Sequence, residues 1–166
     1  NSIGTVTGGS FVVDNLAPTV ALAFVSGAQA SPFRAGQSVT VTATVSDANA
    51  ISGTPTLTLS GAGSIGAVTL TETAAGSKVY RGSFTAPAGD GTVTSTFVAT
   101  DVASNTLTQS GGTAFVLDNL APSITIGYQI IPDSTQTLPT TGYASSVTRP
   151  IHDGESLAIE VVATDV

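Results

Sequence analysis

The chain has 166 residues, of which 41% are hydrophobic, 9% charged and 5% aromatic, and it contains no Cys, Met or Trp. Without cysteine there is no thiol nucleophile, no thiolate metal site and no disulfide framework, and so few aromatic residues leave only thin cores of Val, Ile, Leu and Ala. The 11 acidic residues against 4 basic ones give a formal charge of -7, which opposes nucleic-acid binding through phosphate neutralisation and makes multivalent cations the more natural partners.

Alternation with period two predicts a chain made of β-strands. The first short run is Val20 to Val25. In the next, Val39, Val41, Ala43 and Val45 face one way and Thr40, Thr42, Thr44 and Ser46 the other, which describes a half-buried strand with a threonine outer face. Runs at Thr56 to Leu59, Val68 to Leu70 and Val79 to Phe84 follow. Val93 to Thr100 has Val93, Ser95, Phe97 and Ala99 as its inward set, and Leu107 with Phe115 to Leu117 completes seven strands. Turn chemistry separates them at Gly53-Thr54-Pro55, Gly61-Ala62-Gly63, Ala75-Gly76 and Ala88 to Gly91. No stretch has helical periodicity, and no apolar run reaches the ~18 residues of a membrane span.

An internal repeat organises these strands. Phe11-Val12-Val13-Asp14-Asn15-Leu16-Ala17-Pro18 returns as Phe115-Val116-Leu117-Asp118-Asn119-Leu120-Ala121-Pro122, an offset of 104 with one conservative change. Farther on, Gly36 to Asp47 aligns with Gly154 to Asp165 at an offset of 118, so the second copy is longer by fourteen residues between Tyr128 and Gly154. A period of 104 exceeds any solenoid unit and equals the size of one β-sandwich domain, about 100 residues. The expected organisation is the last strand of a preceding repeat in residues 1–13, a complete sandwich in 14–117, and in 118–166 the first part of a third repeat with a long insertion between its first two strands. With no methionine, the sequence reads as a mature or excised piece of a longer product.

The Asp-Asn-Leu-Ala-Pro junction, the Val39 to Val45 strand and Ala99-Thr100-Asp101-Val102-Ala103-Ser104-Asn105 resemble the bacterial immunoglobulin-like repeats of large cell-surface and adhesin proteins. In that family glycine commonly stands where this chain has Ser104. The resemblance implies tandem immunoglobulin-like antiparallel sandwiches of about seven strands, an extracellular location at a bacterial surface, and a structural rather than enzymatic role. A looser likeness to cadherins, whose junctions bind calcium, is incomplete because the acidic Leu-Asp-Arg-Glu element of cadherins is missing.

In such a sandwich the first strand begins at the end where the second-to-third and sixth-to-seventh strand loops lie, because strands alternate in direction. Asp14 and Asn15 of the linker should therefore meet Asp47 and Asn49 of one loop and Asp101 and Asn105 of the other. Carboxylates with amide carbonyls suit Ca²⁺, which takes six to eight oxygens. The same reasoning gives Asp118, Asn119 and Asp165 at the next junction. A second reading stands beside this one: Asp and Asn also close turns by bonding their own backbone, with no ion.

Other chemistry is thinly represented. His152 is the only histidine and shares the inserted segment with Asp133, Arg149 and Asp153. No second imidazole or thiolate accompanies it, and no Gly-x-Ser-x-Gly elbow occurs. Lys78, the only lysine, is expected at the surface, and Tyr80 in the core. The functional expectation is a stalk repeat stiffened by calcium, whose partners are neighbouring repeats of the same chain. Identical chains in a filament, sheath or surface layer form the first alternative and a carbohydrate-binding module the second, with neither nucleic acid nor a membrane span involved.

Overall fold

The computed structural model describes residue 8, residues 12–132 and residues 141–165. Every regular element among them is a β-strand. The chain divides into two compact units, Asn1–Asn119 and Leu120–Val166.

The first unit is a two-layer antiparallel sandwich. One sheet has the order β1-β2-β6-β5, formed by Thr19–Val25, Ser38–Ser46, Val79–Thr85 and Thr71–Glu72. The other has the order β4-β3-β7-β8, formed by Gly66–Val68, Ile51–Gly61, Gly91–Asp101 and Thr106–Leu117. This is the immunoglobulin-like arrangement of strands, with the first two strands in one sheet and the last two in the other. We call the end at which β1 begins the head and the end at which β8 finishes the tail.

Alternation decides which residues meet between the layers. Val39, Val41, Ala43 and Val45 of β2 face Leu57 and Leu59 of β3 and Val93, Phe97 and Ala99 of β7 in one buried cluster, while the threonines of β2 point outward. Val20, Leu22 and Phe24 of β1 pack against that cluster from the side. Contrary to the expectation of a core of aliphatic residues alone, the largest fully buried side chains are Phe33, Phe97 and Phe115, and Phe115 is the hub of an aromatic part, with ring centroids 5.2 Å from Phe24, 5.4 Å from Phe33 and 5.7 Å from Phe84. Tyr80 is also in the core.

Three local expectations are corrected. The run at Val68 to Leu70 is not one strand: β4 ends at Val68 in one sheet and β5 begins at Thr71 in the other, so the chain changes layers between them. Gly53-Thr54-Pro55 is not a turn. It lies within β3, where the pairing with β7 shifts between Ser52 and Thr56, and Gly53 takes the left-handed φ of 71° that a bulge accommodates. Lys78 is half-buried, its Nζ donating to the main-chain oxygen of Asp47 at 2.6 Å and its main-chain N–H to Glu72 Oε1 at 2.9 Å.

The described part of the second unit is one antiparallel pair, β9 (Ser123–Ile131) with β10 (Ser156–Thr164). Ile124 pairs with Ala163 and Ile126 with Val161, the same relation that Val20 has to Val45 and Leu22 to Ala43 in β1 and β2. The inserted segment starts later than expected, because β9 continues through Gln129 to Ile131. Beyond it, Ala144 bridges back to Tyr128, and Arg149 forms an ion pair with Glu155 at 2.7 Å. Asp133 lies outside the described residues, as do most of residues 1–13, on which the expected last strand of a preceding repeat falls.

Candidate metal centre

At the head of the first unit, three turns bring acids together. Asp14 precedes β1, Asp47 follows β2, and Asp101 ends β7. One carboxylate oxygen from each lies within 4.8 Å of the others, and among the described residues no other such group of three acids occurs. Asp14 and Asp47 are half-buried, and Asp101 is fully buried at 0% exposure.

Local turn chemistry builds each arm of the cluster. Asp14 Oδ1 accepts from the Leu16 N–H at 3.0 Å and Asp47 Oδ1 from the Asn49 N–H at 2.7 Å, both two residues ahead. Asp101 Oδ1 accepts from the Asn105 N–H at 2.8 Å and its Oδ2 from Asn105 Nδ2 at 2.9 Å. Longer links then join the arms: Asn49 Nδ2 donates to Asp14 Oδ2, and Asn105 Nδ2 donates to the Asp14 main-chain oxygen at 3.2 Å. The turn reading and the clustering coexist, since an oxygen used on its own turn leaves a carboxylate able to meet its neighbours.

Burial pushes the Asp101 carboxyl up, but the side-chain and main-chain donors of Asn105, the Ala103 N–H and the adjacent Asp14 carboxyl outweigh it, so Asp101 titrates below the usual aspartate value. Three carboxylates this close repel when all are ionised. The Lys78 ammonium donates to the Asp47 main-chain oxygen at 2.6 Å. A hard cation fits the donor set: three carboxylates from three turns, spaced within the span of one Ca²⁺ coordination shell. Asn49 and Asn105 face the acids with their amide N–H groups here, so they act as donors that hold the carboxylates, and presenting oxygen instead requires rotating the amide by half a turn.

The remaining candidates are Asn15, Asp118, Asn119 and Asp165. Asn15 is exposed. Asp118 and Asn119 belong to the first unit and Asp165 to the second. Asn119 is at the tail, where its side chain is committed to protein: Oδ1 accepts from the Ala35 N–H at 2.6 Å, and Nδ2 donates to the Gly89 oxygen. Its main-chain N–H donates to Asp90 Oδ1 at 2.6 Å. Sequence reasoning misses this role, because the Ala88 to Gly91 segment reads as turn chemistry alone.

His152 is exposed, with its main-chain N–H donating to Glu155 Oε2 at 2.7 Å. No helix among the described residues is long and apolar enough to cross a membrane. Compared with family models, curated proteins and solved structures, the chain gives no match.

Proposed function

We propose that the chain is a non-enzymatic stalk segment of a long extracellular bacterial surface or adhesin protein, with calcium stiffening the linker at the head of each sandwich. The observation that carries this reading is the meeting of Asp14 from the linker with Asp47 and Asp101 from two loops. An ion held by all three fastens the incoming chain to the body of the sandwich and removes hinge freedom. The repeated Asp-Asn-Leu-Ala-Pro motif and the acidic, thiol-free composition agree with a serial extracellular role.

The test is calcium binding by the full chain, followed by calorimetry and by thermal melting with and without chelator. An ion that binds the folded but not the unfolded chain raises stability by about 2.7 kcal/mol at a hundredfold excess over Kd. Asp14→Asn and Asp47→Asn should each weaken the response, and Asp153→Asn, in an exposed loop, should leave it intact. A melting curve and ion content indifferent to chelation would reduce the cluster to turn chemistry.

Lateral assembly into a filament, sheath or surface layer is the second reading. Sedimentation and electron microscopy of the full chain distinguish it, through concentration-dependent association or fibres. The carbohydrate-binding alternative is weakened by the position of Tyr80, which is 4% exposed and offers no platform.

A further inference from the structure

We propose that the tail of the first unit is a shear lock that carries tension along the chain, with Asn119 as its latch; this rests on the stalk reading and assigns the load path within one sandwich. The lock joins the segment between β1 and β2 to the end of β8. Phe33 bridges Leu117 in parallel: the Phe33 N–H donates to the Val116 oxygen at 2.9 Å, and the Asp118 N–H donates to the Phe33 oxygen at 2.9 Å. Ser31 Oγ accepts from the Val116 N–H at 2.8 Å on one side, and Asn119 Oδ1 accepts from the Ala35 N–H at 2.6 Å on the other. A second strap runs from Asn119 to Gly89 and Asp90. The Phe33 ring is 1% exposed and packs on Phe115, so the bridge is pinned to the core.

Direction makes this arrangement a lock. β1 runs from head to tail and leads into Ser31–Ala35, and β8 also runs from head to tail and ends at Leu117. Tension on the N-terminal side draws the first segment towards the head, while tension on the C-terminal side draws the second away from it. Two parallel segments pulled in opposite senses slide along each other, so their cross-links stretch together and must fail together. Links peeled apart from one end would break singly and at lower force. Asn119 is fastened to the sandwich by three bonds, to Ala35, Asp90 and Gly89, and so carries tension from the C-terminal side into the fold.

The experiment pulls the full chain from its two ends at constant force; with no native cysteine, cysteines added outside the ends attach the handles uniquely. The event releasing the longer segment reports the first unit. Asn119→Ala should raise its unfolding rate about tenfold, from loss of two side-chain bonds under load, and Asn119→Asp, which keeps the acceptor and loses the donor, should fall between. Thr94→Ala removes hydrogen bonds to Ser60 on the outer face, away from the lock, and should change the rate by less than about twofold. The ratio between Asn119→Ala and the parent should persist in chelator, so a failure of calcium stiffening leaves this result readable. An Asn119→Ala rate equal to the parent's, or a Thr94→Ala rate raised as much, overturns the lock.

Discussion

Ser104 stands in the turn between β7 and β8 with a left-handed φ of 72°. An L side chain in that region carries a penalty that glycine escapes. The resemblance to repeats with glycine at this position thus has a conformational basis. Ser104→Gly should stabilise the first unit by about 0.5 kcal/mol, the relief of strain being partly offset by the greater freedom of glycine in the unfolded chain. A urea midpoint unchanged or lowered would contradict this. Asp101, three residues earlier, has a different dependence. Its carboxyl is held below the usual aspartate range in the fold, so its contribution is present above the unfolded value and is lost as pH falls through the lower, folded value. Melting temperature should therefore drop on acidification below about pH 4, and less steeply in Asp101→Asn, which lacks the titrating group. That Asp101 sits in a turn was legible from its neighbours. Its complete burial was not, because burial depends on Asp14 and on loop residues distant in the chain.

Strand patterns were the most readable elements. β2 and β7 have strict alternation, and each inward residue expected in them is buried or nearly so, including Ser95 at 9% exposure. Phe97, at 0% exposure, is central to β7. Phe97→Ala should destabilise the sandwich by about 3 to 5 kcal/mol, since it removes transfer energy and leaves a cavity between two stiff layers. Denaturant titration followed by circular dichroism measures this, and a loss below about 1 kcal/mol would mean that the layers collapse onto the gap. Gly82 in β6 is the complementary case. An added Cβ would lie 2.5 Å from the Thr69 oxygen and 2.9 Å from Val68 Cγ1. Gly82→Ala should therefore destabilise the crossing between β4 and β5, which is where the sequence pattern merged two strands into one. Short edge strands carry too few residues for alternation to mark their limits, and only pairing partners separate them.

At the scale of the molecule, the two units differ in how their apolar rows are covered. In the first, the row Val20, Leu22 and Phe24 packs on a core closed by the opposite sheet. In the second, the equivalent row begins with Ile124 and Ile126, both exposed among the described residues. If such a row seeks cover, the full chain should bind a hydrophobic dye at the second unit, and Ile126→Thr with Val161→Thr should abolish that signal while the first unit's melting transition stays in place. Dye binding unaffected by the double change would locate the exposed apolar surface elsewhere.

The sequence by itself determined that the chain is built of antiparallel strands, which residues face inward, and that the Asp-Asn-Leu-Ala-Pro motif recurs 104 residues on, because alternation and self-similarity are local or linear properties. It also nominated the head-end acids, since alternating strand direction fixes which loops share an end. Only the tertiary structure decided which polar residues serve that end. Asp14, Asp47 and Asp101 converge there, whereas Asn119, with the same motif context as Asn15, closes the tail onto Ala35, Gly89 and Asp90. The physical reason is that a side chain's partner is set by the packing of segments far apart in sequence, and a two-residue motif has the same letters whichever end of a sandwich it fastens.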